Sequence, residues 1–161
     1  MNGQRGFTLA ELVIVMVITS VLAVVAIPRL FDKSEFAARG GRDFVASALR
    51  YAQKSAIAMR RNVCVSVTGS TVSATFADAQ GSDEVCNAAN PLIHPANGLP
   101  FDDPVNALPE GAVVAAAAAL VFDASGRRYI APTAKYLPSL TITVTGYAVP
   151  IIVETDTGLV H

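Results

Sequence analysis

The feature that most constrains this chain is an apolar run entered almost at its first residue. From Phe7 to Ile27 there are 21 residues with a single charge, Glu11, and Pro28 closes the run. At ~1.5 Å per helical residue it would extend roughly 31 Å, about the thickness of a bilayer's hydrocarbon core. A membrane helix over this run is the first expectation. The order of signals differs from that of a secretory leader, in which a small-residue cleavage site follows the apolar region. Here Gly6 precedes it. A cut after Gly6 would remove only a leader of residues 1–6 and leave the helix on the mature chain. Arg5 is the only charge in that leader. It biases the N-terminus toward the cytoplasm, with the remainder outside.

Glu11 is the odd residue of the run. A carboxylate inside a membrane helix costs about 2.5–3.5 kcal/mol on insertion scales, so it normally has a partner. Either Glu11 sits shallow among headgroups, or it pairs with a positive group on a neighbouring subunit. If the Gly6–Phe7 bond is cut, the new α-amino group of Phe7 is the candidate.

Gly6-Phe7-Thr8-Leu9-Ala10-Glu11 followed by an apolar helix resembles the N-terminus of type IV pilins and type II secretion pseudopilins. The resemblance implies that prepilin peptidase cuts after Gly6 and methylates the amine of Phe7. It also implies that Glu11 sets the register of subunits in a filament and that Pro28 kinks the helix. By the chemistry of its ring alone, Pro28 removes a backbone donor and bends a helix.

Helical pattern resumes after Pro28. Phe36, Gly40, Phe44, Ala48, Ala52 and Ala56 recur at fours, with Val45, Leu49 and Met59 beside them. An amphipathic helix to about Arg61 is expected. Gly40-Gly41 would weaken it unless it marks a flexible point or a close contact. The period then changes to two. Val63, Val65 and Val67 alternate with polar residues, Gly69-Ser70 turns, and Val72, Ala74 and Phe76 alternate in return. That pattern predicts a hairpin. Residues 78–111 carry most of the Pro, Asn, Asp and Gly and are expected to form one long loop. Leu120 to Phe122 reads as a strand ahead of the turn Asp123-Ala124-Ser125-Gly126. Leu140 to Thr145 and Val149 to Glu154 read as two more strands, and Leu159-Val160 as a last short one.

The expected fold is α+β. A long kinked N-terminal helix, half membrane anchor and half amphipathic, packs against a C-terminal antiparallel sheet. The expected divisions are a leader (1–6), a transmembrane and assembly helix (7–28), an amphipathic helix (29–61) and a β-rich head (62–161), with 29–161 forming one periplasmic domain. Outside the cytoplasm, Cys64 and Cys86 are expected to oxidise to a disulfide.

Charge is divided unevenly. Residues 29–61 hold eight basic and three acidic side chains, and residues 62–161 hold three basic and nine acidic. A +5 block beside a −6 block suits packing within or between subunits better than a nucleic-acid surface.

The stretch Leu49 to Arg61 followed by Val63-Cys64-Val65, the turn Phe122 to Arg127, and the late Thr157-Gly158 are similar to the GspH/FimT-like branch of minor pilins and pseudopilins. Within it, Pro28 to Asp32 and the two cysteines look most like minor pilins of mannose-sensitive haemagglutinin (MSHA) pili. The resemblance implies a structural subunit of the bacterial inner membrane whose partners are prepilin peptidase and other pilins. Some relatives in that branch bind DNA, which raises a second reading for Arg50, Lys54, Arg60, Arg61, Arg127 and Arg128. Six cations without interleaved aromatics on a net acidic chain are weak support for it. A membrane-anchored enzyme is the third reading. His94 and His161 have no spacing to a Cys, Ser or acid that suggests a triad or a metal set, and no cofactor is implied. Asp83-Glu84 and Asp102-Asp103 fit no calcium-loop spacing.

Overall fold

A computed structural model describes residues 8–30, 33–81, 85–129 and 138–161, with the backbone alone for 25–30, 33 and 129. The chain divides into two compact units, Met1–Lys33 and Ser34–His161. The first holds helix α1, Leu9–Leu30, whose backbone is helical through Pro28. The second unit is the head, which holds all of α2 (Lys33–Met59) but its first residue.

Ala38, Val45, Leu49, Ala52 and Ala56 of α2 are buried. The expected stripe at fours is corrected at its start, because Phe36 is 71% exposed. A helix turns 100° per residue, so each step of four drifts about 40°, and the ends of a long row of fours cannot share one face. The Gly pair is a close contact. A Cβ on Gly41 would lie 2.6 Å from Ala112 Cβ and 3.3 Å from Leu108 Cδ2. The helix ends in a Schellman arrangement, with Arg61 N–H donating to the Ala56 carbonyl and Arg60 N–H to that of Ile57. Arg60 takes φ 53°, the left-handed position that glycine usually fills.

The period-two stretch forms a hairpin of β1 (Val63–Thr68) and β2 (Thr71–Ala77), with Thr68 opposite Thr71 across Gly69-Ser70. With β3 (Cys86–Pro91), β4 (Ala118–Phe122) and β5 (Arg128–Tyr129), it makes an antiparallel sheet of order β3-β2-β1-β4-β5. Register sets Val65 opposite both Ala74 and Leu120, and Val63 opposite Phe122. These side chains therefore share one face, and together with the buried residues of α2 they form the core. Each fully buried Val, Leu or Phe contributes about 1.5–3 kcal/mol.

The single loop expected over 78–111 is corrected, since it contains β3 and a 3-10 turn, Pro104–Asn106. Cys-Asn-Ala-Ala-Asn-Pro has poor strand propensity, so tertiary ties hold β3 in place. A disulfide joins its Cys86 to Cys64 on β1, and the Asp78 carboxylate accepts from Asn87 and Asn90. The strand expected over 140–145 stops at Ile142. Its segment forms β6 (Leu140–Ile142), which pairs with β7 (Ile151–Val153) in a separate two-stranded sheet. Val144 instead bridges Val114, and Val160 bridges Val153.

Candidate assembly interface

The helix of the first unit starts at a side-chain cap. Glu11 N–H donates to Thr8 Oγ1 at 3.3 Å, and Leu12 N–H donates to the Thr8 carbonyl at 3.2 Å. Thr8 and Glu11 occupy the first and fourth positions of a T-x-x-E capping box. Glu11 thereby lies in the first turn, where the helix dipole favours a negative charge by about 0.3–1 kcal/mol. This local role of Glu11 is legible in the sequence as the T-x-x-E spacing.

Beyond the cap, the described side chains of α1 meet no other described element of their unit. Every described side chain from Thr8 to Val24 is exposed, eleven large apolar ones among them. Left in water, that surface forfeits on the order of 10–20 kcal/mol of burial free energy. Thr19 Oγ1 donates to the Val15 carbonyl at 2.8 Å, and Ser20 Oγ to that of Val17 at 2.8 Å. These hydroxyls are satisfied inside the helix, so the surface left for a partner is apolar with one carboxylate near its N-terminal end. Among the described residues no helix is long and apolar enough to cross a membrane. The described side chains of α1 stop at Val24, short of the expected span to Ile27. Gly6 and Phe7 lie outside the described residues, as do Asp83 and Glu84. Pro28 is described by its backbone only.

In the head, the six cations considered for DNA do not make one surface. Arg127 is bound to Asp123 at 2.9 Å. Arg128 is 5% exposed and donates to the Pro138 carbonyl. Burial pushes its guanidinium below the ordinary arginine range. Arg50 Nε donates to the Val160 carbonyl at 3.1 Å. His94 is packed between rings, stacked on Phe44 at 6.0 Å and edge-on to Phe101 at 4.8 Å. His161 lies 3.2 Å from a Glu154 oxygen. Asp103 caps the 3-10 turn through Val105 N–H. Among the described residues no group of three or more His, Cys, Asp or Glu could hold a metal.

Sequence reading missed Gln53. Its amide donates to the carbonyls of Gly126 and Thr157, at 3.0 and 2.9 Å, and so ties two turns to α2. No spacing rule connects positions this far apart in the chain.

The family described as "Prokaryotic N-terminal methylation motif" matches residues 1–27. The chain is also 36% identical over 93 residues to the "Type IV narrow pilus major component PilA5" of Thermus thermophilus, an alignment covering 53% of this chain and 80% of that protein. The chain belongs to the type IV pilin superfamily. In this pilin, one unit carries an exposed apolar helix capped by Thr8 and bearing Glu11, and the other unit, the head, is closed by a disulfide. No solved structure matches the chain.

Proposed function

We propose that this pilin is a structural subunit of a type IV pilus shaft. It is held by α1 in the bacterial inner membrane, cut after Gly6 by prepilin peptidase and N-methylated on Phe7. The carrying observation is the exposed apolar surface of α1 with Glu11 in its first turn. The α1 backbone is 22 residues long, about 33 Å at 1.5 Å per residue. Lipid covers it before assembly, and neighbouring α1 helices cover it afterwards. Drawn into such a bundle, the Phe7 amine needs a partner, and a neighbour's Glu11 supplies one where low dielectric strengthens the attraction. Pro28 marks the end of the membrane half.

The MSHA-type minor-pilin reading rests on the resemblance of residues 28–32 and the two cysteines, Cys64 and Cys86. The shaft reading draws on the relative's printed role as a major component. Copy number per filament separates the two, since a shaft subunit dominates sheared material.

Glu11→Gln and Glu11→Ala test the pairing. Gln preserves the capping box and removes the charge, whereas Ala removes both. Both variants should be cleaved normally and both should fail to enter filaments, because a stranded buried amine is costly. Normal filament entry by Glu11→Gln would reduce Glu11 to a helix cap and overturn the pairing.

A further inference from the structure

α2 is embedded in the head on every side but one. Its exposed side chains between Phe36 and Lys54 form a single seam of Phe36, Arg39, Asp43, Ser47, Arg50 and Lys54, spaced by threes and fours. Asp43 is taken by Arg42 at 3.2 Å. Among the described ion pairs, none engages Arg39, Arg50 or Lys54. The seam therefore carries three cations against one acid, Asp43, which Arg42 already holds.

The opposite charge is concentrated in another part of the head. Residues 62–126 contain seven acidic side chains and no Lys or Arg. Within them, Asp102 and Glu110 are exposed on either side of the turn Pro104–Asn106, with Asp103 half-exposed between. This acidic lobe packs beside the start of α2. A Cβ on Gly40 would lie 3.4 Å from Pro109, and Gly41 faces Leu108 and Ala112. Lys54 is 14 residues further along the helix, about 21 Å at 1.5 Å per residue. Exposed charges that far apart are screened, the Debye length being about 8 Å at physiological salt. The lobe of one chain therefore cannot neutralise the far end of its own seam.

We propose that the α2 seam docks on the acidic lobe, Asp102 and Glu110, of a second copy of this chain. Arg50 and Lys54 of one chain set against Asp102 and Glu110 of another pair two different patches, which is a head-to-tail contact. Where its rotation does not close a ring, such a contact propagates into an open helical polymer. The helical bundle supplies burial, and the seam sets the azimuth and stagger of the heads, because charge complementarity acts mainly on orientation. This inference rests on the shaft-subunit reading.

Charge reversal tests it in the full chain, in cells with the assembly machinery. Arg39→Glu with Lys54→Glu leaves Arg50 as the seam's one cation beside two new acids, so the seam becomes net negative. Asp102→Lys with Glu110→Lys makes the lobe positive. Each double variant alone should enter sheared filaments about tenfold less than wild type, relative to the membrane-held pool. Co-expressed, they should recover wild-type yield. The negative seam of one chain then meets the positive lobe of the other, and the positive seam meets the negative lobe, in alternation. A non-reducing gel showing the Cys64–Cys86 bond verifies the fold of each. Wild-type yields for the separate variants would overturn the proposal. So would two low yields that co-expression fails to raise. Wild-type protein absent from sheared filaments would instead overturn the shaft reading beneath it.

Discussion

Gln53 holds the closure of the head at one point, and its removal has a calculable cost. Its amide spans the turn at Gly126 and the turn at Thr157, both far away in sequence. Gln53→Ala removes two hydrogen bonds, each worth about 0.5–1.5 kcal/mol net, so the head should lose about 1–3 kcal/mol. Gln53→Glu keeps the volume but sets an acceptor against two carbonyl acceptors. Its cost at neutral pH should exceed that of Ala, and should shrink once the carboxyl is protonated and can donate. Gly158 supports the same clasp from the other side. It has φ 64°, and a Cβ there would collide with the Gly126 carbonyl oxygen and stand 2.7 Å from Gln53 Nε2. Gly158→Ala should therefore cost about 2–4 kcal/mol from left-handed strain and displacement of the clasp. Because both changes break one clasp, the double variant should lose clearly less than the sum. Urea unfolding of residues 34–161, a compact unit with its own core, measures all four. The m-value should be unchanged. Gln53→Ala and Gln53→Glu both within 0.5 kcal/mol of wild type would refute the reasoning, as would full additivity.

Three other outcomes follow from single features. Replacing Cys64 and Cys86 with Ser reopens a span of 22 residues and should cost about 3 kcal/mol in the same titration; β3 should lose amide protection first, since it pairs with β2 in only two register positions. Arg60→Gly relieves a left-handed position at the end of α2 and should raise Tm by ~2–4 °C, whereas a fall would contradict the cap geometry. Asp78 is held below the usual carboxylate range, first by Asn87 and then by Asn90. Its folded pKa is the lower one, so its contribution is full above the unfolded value of 3.8 and is lost as pH falls through the folded value. The Tm gap between wild type and Asp78→Asn should therefore narrow as pH drops from 5 toward 2, and a constant gap would contradict this.

The hairpin, α2 and the strand before Asp123 are legible because burial alternates there with the residue period. Val63, Val65 and Val67 are each buried, with half-buried Cys64 and Ser66 between them. β3 was not legible. Its Asn and Ala residues have no strand preference, and its pairing depends on Cys64, Asp78 and β2, which are contacts outside any local window. The exposure of Phe36 is not legible in a row of fours, whose two ends drift onto different faces of a long helix. The N-terminal signature could be read residue by residue since it is a local pattern, and Thr8 belonged to it as a cap. The charge asymmetry was visible as two blocks, but its division into a seam and a lobe required the fold. Gln53 was invisible for the same reason.

The central claim is that this pilin is cut after Gly6 and built into a filament through α1. Mass spectrometry of the chain recovered from sheared filaments tests it most directly. The account predicts an N-terminal peptide beginning at N-methylated Phe7, in an amount that makes this chain the dominant species. A chain that still begins at Met1, or one that stays in the membrane fraction while filaments form without it, would contradict the account.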